Sequence, residues 1–540
     1  MPVVSLPYED LERLVGVPRE LIIEKIPFLG ADIERIEEDR LDVEFFPNRP
    51  DLYSVEGVAR AIKGFLSIEE GAKYYRLYDS DVELNVDDKV IPIRPYIAVA
   101  IVKDVLFTES SIKSIMNLQE HLHKGLGRNR KKLAIGLHDL SKVSPPFTYT
   151  AVSPSFSFIP LDFDEEMSMQ EVLSRHPKGI KYGSIFENFS LYPVILDSND
   201  NVLSFPPIIN AELTRVSEDT KNLFIDVTGT DPIVFKALNI VLSAIYERGC
   251  NLYSVCIKRE GKNIKSPDMS YKEININIEE FRSLIGVDFT ESTIIKSLKR
   301  LRYDAEIKDK MVHVKIPPYR TDILHSRDVI EDAAIGYGYD NIKSEFPITF
   351  SIGKSDDIEI LSRKLSDVMV GLGFFEVMTF TLTNRDKEFS LMRREEIPGY
   401  IVLKNPISTE HTMLRGSLLP NLMEFLSYNK HRELPQKIFE IGDIVLDEKT
   451  LQNLAFVSMH SNAEFAEIRS YLDALFREIG IDVDLKESND PAFLNGRRGD
   501  IFYKNKKIGV FGEFHPEVIW NFQLDHPTIG MEININNLTI

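Results

Sequence analysis

Apolar positions along this chain recur at two periods, and the period switches many times. In DLERLVG, Leu11 and Leu14 fall one helical turn apart, which predicts a short helix. Residues 42–46 alternate as a strand does, and 48–51 form a proline-containing turn. Residues 53–66 then place Val55, Val58, Ile62 and Leu66 near one helical face. AVAIVKDV (98–105) alternates again, and SIKSIMNLQEHL starts an amphipathic helix that runs out into a basic loop. Two apolar runs around SNDN predict a hairpin, NLFIDVTGTD a strand, and DPIVFKALNIVLSAIYERG a long apolar helix. KREGKNIKSPDM (258–269) is polar and basic and reads as a linker.

Downstream, Ile294, Ile295, Leu298 and Leu301 stripe a helix for which Thr290 is an N-cap. MVHVKIPPY is a strand stopped by Pro317 and Pro318. This order of helix, strands and helix suits a winged-helix-like fold. A helix over 358–372 leads into EVMTFTLT, predicted as a strand. QKIFEIGDIVL, a hairpin turning at Asn505 and TIGMEINI follow as further strands. The pattern divides the chain into α+β domains over 1–95, 96–265, 270–345 and 355–540, in keeping with roughly 100–200 residues per domain.

Composition narrows the possibilities. The 540 residues are 43% hydrophobic, enough to bury several cores, and carry a formal charge of −20. That balance argues against non-specific nucleic-acid or membrane binding as the main task, although a local basic surface is compatible with it. Lys124, Arg128, Arg130, Lys131 and Lys132 form such a patch, either a phosphate contact or a solvated loop. Only two cysteines, Cys250 and Cys256, are present, and their spacing fits neither a redox motif nor a zinc knuckle. Glu9, Asp10 and Glu12 make the N-terminus unlike a signal peptide, and no apolar run approaches a membrane span. A cytoplasmic location is the expectation.

The densest chemistry lies in PPYRTDILHSRDVIEDAAIGYGYDNI. Asp322, Asp328, Glu331 and Asp332 fall within eleven residues. With Ser326 as N-cap, the last three share one helical face. Clustered carboxylate oxygens suit a hard cation such as Mg²⁺ or Ca²⁺. Acidic residues in a first helical turn also stabilise the helix dipole by about 0.3–1 kcal/mol each, and Arg320 and Arg327 are available as partners. Spacing leaves both readings open.

This stretch closely resembles the B5 domain of the phenylalanyl-tRNA synthetase β-subunit family. The resemblance extends over nearly the whole chain. FFPNRPDLYSVEGVARAI resembles the family's N-terminal FxxNRxDxxSxxGxAR segment. RKKLAIGLHDL and FPPIINAELTRVSEDTKNLFIDVTGTD resemble the B3/B4 editing module. NPISTEHTMLRGSLLPNLMEFLSYNKHRELPQKIFEIGDIV and IGVFGEFHPEVIWNF resemble the catalytic-like B6/B7 domain. The ending at Ile540, and the lack of an inserted OB-type domain near the start, match the archaeal or eukaryotic-cytosolic type.

The resemblance implies an α+β multidomain fold: a B1-like N-terminal domain, an editing module, a winged-helix-like B5 domain, and a class II synthetase-like antiparallel sheet with flanking helices. It implies an α-subunit partner in an (αβ)₂ heterotetramer, tRNA(Phe), ATP as substrate of the complex, and Mg²⁺ on Asp322, Asp328, Glu331 and Asp332. It implies editing of Tyr-tRNA(Phe), with Leu203, Glu212, Asp226, Thr228 and His138 as pocket candidates and Asp139 nearby. The basic loop from Lys124 to Lys132 is then a candidate contact for the tRNA acceptor end. No aminoacylation residues are expected on this chain. A working core of this kind carries a GxGxGxxR motif, whereas IGVFGEFHPEV has Glu513 and His515 and no arginine. Arg415 reads as a surface residue at a helix N-terminus. Two other readings compete, a free nucleic-acid-binding protein and a magnesium-dependent hydrolase. The net charge weakens the first, and the lack of a nearby nucleophile or second ligand cluster weakens the other.

Overall fold

The computed structural model describes residues 2–349 and 351–538. It contains two compact units, residues 1–346 and 347–540.

The first unit opens with an antiparallel sheet of Val3–Pro7, Arg40–Phe45 and Ala31–Ile36. Helix α1 (Val55–Phe65) follows, started by Ser54, whose hydroxyl accepts the Gly57 N–H. The alternating apolar runs farther on build two sheets. The five-stranded one contains β1 (Tyr96–Lys103), β2 (Leu133–Asp139) and β3 (Leu223–Gly229), with β3 antiparallel to both of the others and β2 at an edge. Strand alternation decides what each face meets. Leu223, Ile225 and Val227 join the core with helices α2 (Glu109–Lys124) and α3 (Ile233–Tyr246), whereas Phe224 packs in the core of the seven-stranded sheet.

Residues 258–269 are not a linker. Val255–Arg259 pairs antiparallel with Lys262–Ser266, with Glu260 and Gly261 at positive φ in the turn. This hairpin is the edge of the seven-stranded sheet. Cross-strand pairing absorbs the polar side chains, because an edge hairpin leaves one face in water. The segment 1–95 also contributes to both sheets: Leu77–Tyr78 joins the five-stranded one and Glu83–Val86 the seven-stranded one.

Residues 272–337 form a three-stranded antiparallel sheet with helices that include α4 (Glu291–Arg300) and α5 (Ser326–Tyr337). Thr290 caps α4 by accepting the Thr293 N–H. Helix α5 begins one residue earlier than the sequence suggests. His325, not Ser326, is the N-cap, and the Asp328 carboxylate reaches back to the N–H groups of Leu324 and His325 at 2.7 and 2.8 Å. A reciprocal capping box outcompetes a lone serine.

The second unit is a seven-stranded sheet. Its long strands are β4 (Gln436–Leu446), β5 (Lys449–Met459), β6 (Phe493–Tyr503), β7 (Lys506–Phe514) and β8 (Thr528–Asn534), antiparallel wherever they pair with one another, while the short edge strand Phe375–Glu376 runs parallel to β4. Helices α6 (Asp357–Gly371) and α8 (Phe465–Ile479) cover one face and α7 (Leu419–Tyr428) the other. Along β5, Leu454 and Phe456 face the first layer while Ala455 and Val457 face the second. EVMTFTLT does not form one strand. Only Phe375–Glu376 and Leu382–Thr383 pair, two residues each. Between them the Thr379 hydroxyl donates to Glu440, and the Asn421 amide donates to the Phe380 carbonyl, so side chains take bonding groups a ladder would use.

Candidate functional site

Asp226 sits in the middle of β3, directly opposite Gly136 of β2. On this face β3 turns Phe224, Asp226 and Thr228 away from the helices, and β2 presents Gly136 and His138. The glycine is needed, since a Cβ there would lie 2.1 Å from Asp226 Oδ2 and 2.7 Å from His138 Nε2. In the space it leaves, His138 Nε2 meets Asp226 Oδ2 at 2.8 Å, and His138 Nδ1 meets the Thr214 hydroxyl at 2.8 Å. His138 is fully buried and Asp226 is 2% exposed. Asp226 Oδ1 has no partner among the described residues.

A cavity of about 380 Å³ opens on this carboxylate. Its walls come from the edge of β2, from α2 (Ile112, Met116, Gln119) and from the segment 204–210. The outer edge of β2, which no strand pairs but which is buried, is held by side chains. Gln119 donates to the Ile135 carbonyl, Asn210 donates to the Leu137 carbonyl, and the Ile135 N–H donates to His123 Nε2 at 2.8 Å. Burial pushes the His123 imidazole down to about 4, so it stays neutral and keeps that acceptor.

The remaining editing candidates occupy different places. Thr228 is buried behind the cavity, accepting from Arg94 Nε at 2.9 Å. Arg94 also donates to the Thr228 carbonyl at 2.8 Å and to the Arg130 and Lys131 carbonyls, and burial lowers its pKa to about 10. Leu203 is a core residue with no exposure. Glu212 lies outside the cavity wall, paired with Arg215 at 2.7 Å, and that bond holds its carboxyl below the usual range. Asp139 caps a turn through Ser141 and accepts from Thr220.

The basic loop is split. Lys124, Arg128 and Lys131 are exposed. Arg130 is 4% exposed and points inward, donating to the carbonyls of Pro207 and Ile208, pairing with Glu120 and stacking on Tyr182. Lys132 pairs with Asp231 at 2.7 Å. The even spacing of charge along the sequence hides this division.

The four carboxylates of the acidic motif line one cavity of about 500 Å³, together with Arg49, Arg320, Phe28 and Phe46. Asp322 is bound by Arg320 Nε and Nη2 at 2.9 and 2.7 Å, and Asp332 by Arg320 Nη1 at 2.5 Å and by the Tyr303 hydroxyl. Burial and the neighbouring Asp332, Asp328 and Asp322 raise the Glu331 pKa. No three acidic, histidine or cysteine side chains among the described residues converge as a metal site. The donors are all hard oxygens, and four carboxylates against two guanidiniums leave excess negative charge. That chemistry fits a hard divalent cation, while Arg320 acts as an internal counter-ion.

In the second unit Arg415 is not a surface residue. It is 3% exposed, pairs with Glu440 at 2.8 Å, and bonds Thr379 and the Asp443 carbonyl. Arg394 is held by Asp490 at 2.7 Å and Arg497 by Glu513 at 2.8 Å. Each of these three arginines is thus paired with a carboxylate of the same unit.

The domains match known families in the same chain order. Residues 107–257 match the family described as "B3/4 domain", 274–339 "tRNA synthetase B5 domain", and 342–535 "Phenylalanyl tRNA synthetase beta chain CLM domain". This is the architecture of an aminoacyl-tRNA synthetase subunit. The phenylalanine–tRNA ligase beta subunit of Methanosarcina acetivorans is 51% identical over 540 residues, covering 100% of this chain and 99% of that one. The beta subunit of Archaeoglobus fulgidus is 48% identical over 538 residues, covering 99% and 98%. A crystal structure of an N-terminal fragment of the phenylalanyl-tRNA synthetase β-subunit from Pyrococcus horikoshii superposes with a TM-score of 0.61 at 38% identity, covering 63% of this chain and all of the fragment. The chain belongs to the phenylalanine–tRNA ligase β-subunit family.

Proposed function

We propose that this chain works with an α subunit in an (αβ)₂ heterotetramer to attach phenylalanine to tRNA(Phe) at the expense of ATP, and that its B3/4 cavity hydrolyses Tyr-tRNA(Phe). The need for a second site is physical. A hydrophobic pocket for phenylalanine excludes an added hydroxyl only poorly, so discrimination is completed by hydrolysis. The observation that carries the reading is Asp226, anchored by the buried His138, at the wall of a cavity that has both apolar and charged lining residues. His138 fixes one carboxylate oxygen, and the other is free to orient a water towards the aminoacyl ester. Thr228 and Arg94 hold β3 and the adjoining basic loop in register, and Leu203 and Glu212 support the wall from behind and outside.

Lys124, Arg128 and Lys131 contact phosphates of the tRNA acceptor end in this reading, while Arg130 and Lys132 serve the fold. Asp322, Asp328, Glu331 and Asp332 would hold Mg²⁺, which supplies positive charge to an over-acidic cavity. The paired arginines of the second unit support an activation site on the α subunit. A cytoplasmic location fits a tRNA substrate, and no helix among the described residues is long and apolar enough to cross a membrane. The test is co-expression with the matching α chain, then phenylalanine-dependent pyrophosphate exchange by the pair and by each chain alone. Exchange by the pair only is the expected result, and exchange by this chain alone would overturn the assignment of activation to α.

A further inference from the structure

Six charged residues line the B3/4 cavity: Glu120, Arg130, Asp162, Lys178, Arg215 and Asp226. Five of them are paired within the chain. Arg130 holds Glu120, Arg215 holds Asp162 at 2.6 Å, and Asp226 is anchored by His138 at 2.8 Å. Lys178 is the exception. Its side chain is half-buried, and its Nζ has no hydrogen-bond or ion-pair partner among the described residues. The backbone beneath it is fixed. Lys178 lies in the short helix Pro177–Tyr182, where its N–H donates to His176 Nδ1 at 3.1 Å. His176 is 4% exposed, and its Nε2 meets the Leu161 carbonyl at 3.3 Å. Gly179 lets this helix lie against the preceding one, since a Cβ there would stand 1.9 Å from the Val172 carbonyl oxygen. Burial, with the Arg130 guanidinium nearby, lowers the Lys178 pKa, and the carboxylates that attract it, Glu120 and Asp162, are already bonded to the two arginines. A cation partly stripped of water and without a partner is unfavourable in the free protein, and it gains when an anion reaches it.

We propose that Lys178 is a substrate-binding residue of this cavity, its ammonium taking the phosphate of the 3′-terminal nucleotide of a charged tRNA. The proposal rests on the editing reading and deepens it. An aminoacyl ester on a terminal nucleotide has one fixed anion close to it, the phosphate on the same ribose. Asp226 repels that anion, and Arg130 and Arg215 are neutralised by carboxylates. Lys178 is the cation of the cavity wall that is still available. Lys124, Arg128 and Lys131 on the exposed loop suit phosphates farther along the strand, whereas Lys178 suits the one nearest the ester. Holding it fixes the ester's position relative to Asp226, which is how remote binding contacts serve a reacting centre.

The experiment uses two amide probes that cannot be hydrolysed, 3′-tyrosylamino-3′-deoxyadenosine with and without a 5′-phosphate. Their binding to the full chain is measured for wild type, Lys178→Gln and Lys178→Arg. Wild type should bind the phosphorylated probe about tenfold more tightly, the size of one hydrogen bond between charged groups. Lys178→Gln should bind both probes alike, and Lys178→Arg should recover most of the difference. Binding of the unphosphorylated probe should be the same in all three, a result that a merely structural lysine would not give. In the complex with α, Lys178→Gln should raise KM for Tyr-tRNA(Phe) deacylation about tenfold with kcat unchanged. It should also lower the slope of log KM against log salt by about 0.7, the share of one phosphate on a single strand. A phosphate preference that survives in Lys178→Gln or is missing in wild type, or an equal loss of both probes, would overturn the proposal. If the wild-type complex deacylates Tyr-tRNA(Phe) and Lys178→Gln keeps its KM, editing stands and only the role of Lys178 fails. If deacylation is absent but the phosphate preference depends on Lys178, the binding site stands and editing fails.

Discussion

Replacing Gly136 by alanine is the most demanding test of how the cavity is built. The added Cβ would stand 2.1 Å from Asp226 Oδ2, inside any tolerable contact, and 2.7 Å from His138 Nε2. The carboxylate is 2% exposed and can move only towards the cavity it lines. It can yield only by giving up the 2.8 Å bond to His138. A hydrogen bond to a charged group is worth roughly 1.5–3 kcal/mol, and leaving a buried carboxylate without it adds to the loss, so the expected cost is about 3 kcal/mol. In an Asp226→Ala background the clash with the carboxylate disappears, and the His138 ring, freed of its Asp226 bond, can give way at the remaining 2.7 Å approach. The substitution should then be neutral or stabilising by about 0.5 kcal/mol, because glycine is a poor strand residue. The coupling between the two sites is therefore about 3 kcal/mol. It can be read from hydrogen exchange of amides in 133–139 and 223–229, which reports local opening without requiring one transition for the whole chain. Coupling below about 0.5 kcal/mol would mean that Gly136 is not what admits the Asp226–His138 pair.

Three further outcomes follow from other parts of the molecule. His123 has a folded pKa of about 4 against an ordinary 6.5, so the unfolded chain takes up its proton first. Stability should be full above pH 6.5 and fall by about 3 kcal/mol as pH drops through that window, a slope that His123→Gln removes in an acid titration of hydrogen exchange around Ile135. Glu440→Gln strands the buried Arg415 guanidinium and should destabilise the second unit by about 3–5 kcal/mol, whereas the Arg415→Met, Glu440→Leu pair should recover most of it in thermal unfolding. Millimolar Mg²⁺ should raise the melting temperature of wild type but not of Asp328→Asn, Glu331→Gln; an equal rise in both would remove those carboxylates from the metal assignment.

Much of this could be read from periodicity and motif order. The alternation in NLFIDVTGTD is long and bounded by turn residues, and it forms β3 with Asp226 on the face away from the helices. The same reading failed where side chains decided. EVMTFTLT has the composition of a strand, yet Thr379 is drawn to Glu440 and Arg415, and no local signal announces partners 61 and 36 residues away. The stretch 258–269 looked like a linker because its polarity matches solvent, which an edge hairpin also meets. Arg130 and Lys131 are adjacent in sequence but turn to opposite environments, because positive φ at Arg128, Asn129 and Arg130 curls the loop. Thr214 and Gly136 were invisible beforehand. Only the pairing of β2 with β3, and the return of 204–210 across the edge of β2, brings them to Asp226.

The most direct test is the rate at which the αβ complex deacylates Tyr-tRNA(Phe), compared between wild type and Asp226→Ala with aminoacylation followed in parallel. The account predicts rapid deacylation by wild type, loss by two orders of magnitude or more in the variant on the scale of a lost general base, about 10²–10⁴-fold, and unchanged phenylalanine charging. Equal deacylation by both proteins, or loss of charging along with editing, would contradict it.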